Sequence, residues 1–309
     1  MNVTEIQICS PVSDTFRYTH AKLALRNPNM GQPFILKAAT GLDADEILKV
    51  YNGSPVGPKY FKMGPKKRTV VLLIKTNPQY GGYLGMDTQP LDTAGDLRDV
   101  LYKAVSWNNE GELEFRFMNG EDYVASLFGF ITKVESATFA PDTEFQMTIE
   151  CDYAFLRSSE IVDNHPVMGL MYAGFDDPFS TAPHGFKCQY KFTDNVSSFS
   201  IREEDLKTRK ALNYKFVVNH DFIVNDLLWF SSEDGNKYLF VEKGTISPPT
   251  PIPIDYKPNM SKVTHLTDKI QKDSVWPIMR PGKNSYNLAR NNTRIILYNL
   301  TYRPTYWGI

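Results

Sequence analysis

The chain of 309 residues is short of most features that announce a chemistry. Its three cysteines, Cys9, Cys151 and Cys188, are widely spaced and form no C-x-x-C pair. That odd, scattered set argues against a disulfide framework or a structural zinc site and fits synthesis in a reducing compartment. No apolar run approaches the about 18–20 residues of a spanning helix, so no membrane insertion is expected. The first ten residues, MNVTEIQICS, carry no basic flank, apolar stretch or small-residue cleavage site, and no signal peptide is expected. Neither sign of charge dominates, with 34 basic and 35 acidic residues for a net charge of −1. That balance removes a case for bulk attraction to nucleic acid or to a membrane surface. G-x-S-x-G and G-x-x-x-x-G-K-[ST] are both missing, so neither a nucleophile elbow nor a phosphate loop is written in the chain.

The residues that remain as candidates each have an ordinary reading that outweighs the chemical one. His20, His165, His184, His220 and His265 lie far apart and form no H-x-x-x-H pair, so surface or core roles are expected and no metal. Glu203-Glu204-Asp205 and Asp176-Asp177 can be imagined as calcium ligands or glycosidase carboxylates. No glycine-punctuated calcium loop surrounds either, and both read as solvated loops. Trp229, Trp276 and Trp307 can be imagined as sugar platforms, yet such rings serve more often as core or interface anchors. No catalytic residue and no cofactor is expected.

What the chain does have is strand pattern. In GELEFRFMNGEDY, Leu113, Phe115 and Phe117 alternate with charged residues and lead into Asn119-Gly120, a dipeptide suited to the centre of a tight hairpin. EFQMTIEC repeats the alternation, with Phe145, Met147, Ile149 and Cys151 on one face. TVVLLIK, Thr69 to Lys75, is continuous and predicts a strand buried on both sides. One helix is expected in LDTAGDLRDVLYKAV, where Leu97, Val100, Leu101, Ala104 and Val105 share a face and Thr93 can cap the start. After a Pro/Gly-punctuated stretch near 157–184, short strands resume: FKCQYKF, SSFSIR, NYKFVV, KYLFVE and RIILYNLTY. Their close spacing predicts a β-sandwich or jelly roll. Between them SPPTPIPIDYKP, with five prolines in twelve residues, reads as an extended surface connection. Length and this change of pattern predict two domains, 1–165 and 166–309.

One stretch carries concentrated charge. Lys59, Lys62, Lys66, Lys67 and Arg68 crowd a segment rich in glycine and proline just before the apolar run. A solvated loop is the default there; the functional alternative is contact with an acidic partner or phosphate.

The order of several segments resembles the distal tail proteins of siphophages. GLDADEI (Gly41 to Ile47), KKRTVVLLI, DLRDVLYKAV, LEFRF and FGFITKVESATFAPDTEFQMTIEC are similar in order and spacing to the first domain of that family. The closing WPIMRPGKNSYNL…TYRPTYWGI resembles the end of the second, where a Pro-Gly-x-Asn turn precedes the last strand. Two departures are the long TNPQYGGYLGMDTQP insertion, and Ala154 before Phe155 where the family often has a proline.

The resemblance implies a mainly β protein: a tail-tube-like β-sandwich or split barrel with one helix, then a galectin-like jelly-roll β-sandwich. It implies a structural, non-enzymatic virion protein at the distal end of a phage tail. Such a protein forms a homo-hexameric ring that joins the tail tube to the host-recognition tip and lets DNA pass. The implied partners are the tail-tube protein, the tape-measure protein and the tail-tip hub and receptor-binding proteins, with the basic stretch as an inter-subunit or tube contact. A carbohydrate-binding adhesin of the tail tip is the rival reading. Arg294 to Tyr302 is expected as a strand covered on both faces, with Ile295, Leu297 and Asn299 on one and Ile296, Tyr298 and Leu300 on the other. Trp307 and Ile309 are then expected to close the edge of the second sandwich or to meet a neighbouring subunit.

Overall fold

The computed structural model describes residues 2–10, 19–25, 32–43, 49–51, 59–61, 67–77, 99, 101–103, 111–136, 144–163, 167–169, 172–204, 211–244, 252–253, 255–287 and 295–308. The chain divides into two compact units, Met1–Ser159 together with Tyr306–Ile309, and Glu160–Thr305. The division lies a few residues before the boundary expected at 165. The last four residues fall in the first unit.

Strands of the first unit are β1 (Glu5–Cys9), β2 (Thr19–Ala24), β3 (Phe34–Thr40), β4 (Lys49–Tyr51), β5 (Lys59–Phe61), β6 (Arg68–Thr76), β7 (Leu113–Asn119), β8 (Asp122–Ser136), β9 (Glu144–Cys151) and β10 (Leu156–Arg157). Seven of them close on themselves in the order β8-β7-β1-β2-β3-β6-β9, because β8 pairs β7 with its first half and β9 with its second. The result is a barrel whose interior takes alternate residues of every strand. Ile6 and Ile8, Val70, Leu72 and Ile74, and Phe145, Met147 and Ile149 all face this core. Leu101, in the described part of the expected helix, is fully buried in the same core; Leu97, Val100, Ala104 and Val105 lie outside the described residues. β4 and β5 form a separate two-stranded ribbon.

Barrel geometry corrects two local expectations. TVVLLIK is not buried on both sides: Val70, Leu72 and Ile74 point inward, while Thr69 is exposed and Val71 and Leu73 are half-buried. The hairpin between β7 and β8 pairs Asn119 with Asp122, so its two-residue loop is Gly120-Glu121. It sits one residue later than the Asn-Gly signal implies, with Gly120 alone taking the positive φ of 63°.

Strands of the second unit are β11 (Ile161–Asp163), β12 (Val167–Gly169), β13 (Tyr172–Asp177), β14 (Phe186–Phe192), β15 (Phe199–Glu204), β16 (Ala211–Val218), β17 (Leu227–Ser231), β18 (Tyr238–Glu242), β19 (Val263–His265), β20 (Gly282–Asn287) and β21 (Ile295–Tyr302). One sheet runs β11-β21-β14-β17-β18-β19, with β12 also on β21; the other runs β13-β20-β15-β16. Both sheets feed one core. Tyr190, Phe192 and Phe230 from the first meet Phe199, Phe216 and Tyr286 from the second. Two sheets sharing one apolar layer define a β-sandwich.

The Pro-Gly-x-Asn segment is a turn fastened by its own asparagine. Asn284 Oδ1 accepts from the Arg280 N–H at 2.8 Å, and Nδ2 donates to the carbonyls of Arg280 and Gly282 at 2.7 and 2.8 Å. It opens β20, not the last strand, since β21 and then β22 (Thr305–Tyr306) follow.

β21 holds a finding the alternation pattern concealed. Asn299 has φ 47°, and the pairing with β14 shifts register there. This bulge reverses the phase of the strand, so Ile295 and Leu297 before it share the main core with Leu300 and Tyr302 after it. Leu300 therefore lies on the face opposite to the one expected. Tyr298 and Ile296 face outward into a second, small apolar layer with Leu227 and Ile252. Both faces of the strand are covered, as its composition implies. The cover is the proline-rich segment, which thus packs on the sheet: Ile252 is 2% exposed.

Candidate functional site

The basic stretch separates into two environments at the start of β6. Lys67 is a surface cation, its side chain 78% exposed and its Nζ 2.9 Å from Asp152 Oδ1. The Asp152 carboxylate raises its ammonium above the usual lysine range. Arg68, the next residue, is only 4% exposed. Its guanidinium donates to the carbonyl of Leu42 at 3.1 Å and to the carbonyl of Trp307. As a partner contact Arg68 is therefore a correction. It shares the inward phase of Val70 and Leu72, and its charge is used inside the chain. Lys59 opens β5, while its side chain, like Lys62 and Lys66 altogether, lies outside the described residues.

Arg68 gathers two distant segments of the first unit. Gly41 has φ 79°, and a Cβ there would meet the Thr69 carbonyl oxygen at 2.0 Å, so only glycine lets this turn lie against β6. The turn then presents the Leu42 carbonyl to Arg68. From the other direction, β22 joins the sheet beside β10, and Trp307 packs edge-on against Phe155, ring centroids 4.9 Å apart. Trp307, 8% exposed, therefore serves the barrel unit and not the edge of the second sandwich.

Several histidines and carboxylates of the second unit are engaged in ties within it. His184 Nε2 lies 2.8 Å from Asp177 Oδ2, and its Nδ1 lies 2.8 Å from the Gly185 carbonyl. Asp177 Oδ1 also accepts from the N–H groups of Phe179 and Ser180. Burial pushes the Asp177 carboxyl up, but hydrogen bonds from His184 and Ser180 outweigh it and hold the group below the usual carboxylate range. Asp226, fully buried, accepts from Ile223 N, Gly244 N and Lys243 Nζ. The same ammonium lies 2.9 Å from His220 Nε2. Burial first, and the Lys243 charge second, lower the His220 imidazole below its usual range. Glu203 takes a two-point bond from Arg280, at 2.7 and 3.2 Å.

These ties take up several of the groups that the sequence singles out. Among the described residues no group of three or more His, Cys, Asp or Glu could hold a metal ion. Glu203 and Asp177, named as possible calcium ligands or glycosidase acids, are each committed to a partner; Asp205 and His165 lie outside the described residues. Burial pushes the Cys151 thiol up to about 12 and the Cys188 thiol higher still, so neither is a thiolate near neutrality. Two of the candidate tryptophans lie against other rings. Trp229 stacks on Phe240 and on Tyr256, and Trp276 packs on Phe216 and Phe230. The Asp177–His184 tie had a faint sequence signal, since both residues stood among the candidates. Nothing in the chain paired them.

A closed seven-stranded barrel unit followed by a two-sheet sandwich defines the class of fold, and a solved structure is similar to it. The crystal structure of the Dit protein of phage SPP1, described as a paradigm of the hub adsorption apparatus in phages that infect Gram-positive bacteria, superposes with a TM-score of 0.51. The match covers 87% of this chain and 94% of that one at 11% identity. The phage p2 baseplate in its activated conformation with Sr is similar at a TM-score of 0.39 and 8% identity, over 97% and 98% of the two chains. At that score it carries no weight. No family model and no curated protein sequence matches the chain.

Proposed function

We propose that this protein is a structural hub of a phage tail tip, a homo-hexameric ring that joins the tail tube to the host-recognition tip and lets DNA pass. The observation that carries the reading is the shared fold with the SPP1 Dit protein over most of both chains. In this reading the barrel unit, residues 1–159 with 306–309, forms the ring in the manner of a tail-tube protein, and the sandwich is a galectin-like domain. Its neighbours would be the tube, tape-measure, tip-hub and receptor-binding proteins, and its place the distal end of the virion tail. Committed carboxylates and unreactive thiols favour a non-enzymatic role. Ring neighbours give Trp229 and Trp276 a packing role, which weighs against the rival carbohydrate-binding adhesin.

Within the ring, Lys59, Lys62, Lys66 and Lys67 would meet acidic groups of the next subunit or of the tube. A channel that gripped phosphate through repeated cations would hold DNA in a salt-sensitive way and slow its passage. Electron microscopy of the purified chain tests the main reading: six-fold rings with an open channel are expected. Isolated monomers that bind glycans would replace it with the adhesin. For the contact, Lys66→Gln with Lys67→Gln should reduce ring content on size exclusion, more so at high salt. Unchanged assembly with lost DNA retention would move the cations into the channel.

A further inference from the structure

The turn that joins β16 to β17, residues 219–226, is held to its surroundings through Asp226. Asp226 Oδ2 accepts from the Ile223 N–H at 3.0 Å, and Oδ1 accepts from the Gly244 N–H at 2.9 Å. The Asn225 N–H donates to the Phe192 carbonyl at 2.9 Å, and the Phe192 N–H to the Asp226 carbonyl at 3.0 Å. So fastened, the turn carries Ile223 and Val224 with both side chains exposed. The chain leaving β18 lies directly against it: a Cβ on Gly244 would meet the Val224 carbonyl oxygen at 2.9 Å. Lys243, one residue earlier, is pinned by its N–H to the Lys262 carbonyl at 3.0 Å.

This places the Lys243 ammonium among three acceptors. Nζ lies 3.2 Å from Asp226 Oδ2, 3.5 Å from the Asp221 carbonyl and 2.9 Å from His220 Nε2. An ammonium has donors only, so His220 Nε2 has to accept and the ring proton has to sit on Nδ1. Only the neutral ring allows that arrangement. A second proton, on Nε2, would set donor against donor and charge against charge across the same 2.9 Å. The other charges around the ring are Asp226, Asp221, Lys269 and Asp268. Phe222 packs on it edge-to-face, with centroids 4.9 Å apart. Asp226 is fully buried, so a departing ammonium would leave its charge poorly compensated.

We propose that His220 and Lys243 form an acid-released fastener for the turn that carries Ile223 and Val224. While His220 is neutral, the ammonium bridges the ring and Asp226, and the turn is closed. When the ring takes up a proton, Lys243 leaves. Asp226 then keeps the Ile223 and Gly244 N–H groups but loses its cation, and the turn loosens. The sign follows from an imidazole held below 6.5 by burial first and by Lys243 second. Folding favours its neutral form, so the fastening is lost as the pH falls through the folded value. Every group involved belongs to the second unit, so the inference does not rest on the ring reading.

Amide hydrogen exchange of the full-length protein tests it, read by mass spectrometry from about pH 7.5 to about pH 4.5 and corrected for the intrinsic rate. Peptides covering the turn and Gly244 should exchange at least about tenfold faster at the acid end, the factor that one pH unit of linked titration supplies. Peptides from the β14–β17 ladder are the reference and should hold. His220→Gln keeps an acceptor for Lys243 and cannot titrate, so its turn should stay slow throughout. Lys243→Gln removes the cation, so its turn should be fast already at neutral pH and gain nothing from acid. Unchanged exchange in the wild-type turn overturns the proposal, as does equal loosening of the reference peptides. Acid loosening that persists in His220→Gln also overturns it. If that variant does not fold, acid loosening in Lys243→Gln as large as in the wild type has the same consequence.

Discussion

The barrel and the sandwich handle the exposed strand edge in different ways. In the barrel unit β8 leaves β7 for β9, the sheet returns on itself, and its seven strands have no open edge. The sandwich keeps open sheets and covers them with irregular chain. The segment 269–275 takes the free edge of β16, through Gln271 N to Val217 O and Val275 N to Lys215 O, and the proline-rich strap takes an outer face. Their cores differ to match. The barrel is filled mostly by aliphatic residues in alternation, whereas the sandwich centres on touching rings, with Phe192 stacked on Phe222 at 4.2 Å. Closure lets one inward face per strand suffice. Open sheets need large side chains inside and separate cover outside.

Removing Tyr306–Ile309 should strike the barrel harder than the sandwich. It takes away Trp307 and one carbonyl acceptor of the buried Arg68 guanidinium, a loss of about 3–6 kcal/mol. Limited proteolysis with mass spectrometry should then release barrel peptides while Glu160–Thr305 survives. Early release of sandwich peptides would mean that the terminal residues serve the second core.

Phe230→Ala should do the converse. Phe230 contacts Phe186, Tyr190, Phe216 and Trp276, and a cavity among those rings should cost about 3–5 kcal/mol. Thermal unfolding followed separately in the two units should show the sandwich shifted and the barrel unmoved. A common shift would show that the units unfold together.

A smaller effect is expected at the bulge. Asn299→Ala loses the ties to Ile252 and Pro253 and places alanine at positive φ, for about 2–3 kcal/mol. Asn299→Gly loses only the ties and should recover about 1 kcal/mol of that, measured by denaturant unfolding. Equal costs would place the whole effect in the strap.

Acid should produce the smallest difference. His20, in the barrel, and His220, in the sandwich, both have imidazoles lowered below 6.5, in each case chiefly by burial. A lowered histidine favours the neutral form when folded. Its contribution is present above about pH 6.5 and is lost as the pH falls from there through the folded value. His20→Gln should flatten the acid limb of barrel stability and His220→Gln that of the sandwich. If neither changes its own unit, other groups govern acid sensitivity.

Much of this architecture was legible in the chain, and the misses share a cause. Leu113, Phe115 and Phe117, and Phe145, Met147 and Ile149, alternate with polar residues, so their phase is written in the chain. Val70 to Ile74 and Ile295 to Leu300 are apolar at successive positions. A continuous run does not say which residue faces which core, and there the outward Val71 and the reversed Leu300 were missed. In the candidate site, Lys67 and Arg68 are adjacent cations with nothing local to part them. One is a surface charge and the other a buried clamp only because β6 begins between them.

Sequence by itself determined the mainly β class, the strand-bearing segments and the covered faces of β21, because alternation and residue size act locally. Tertiary structure alone decided that β8 closes the barrel onto β9, that Trp307 returns to the first unit, and that Arg68 meets carbonyls 26 and 239 positions away. It also joined Asp177 to His184 and laid the proline strap on Trp229. Those contacts pair segments whose separation in the chain leaves no periodic trace. What selects them is the satisfaction of buried charges and carbonyls, which exists only once the chain has folded.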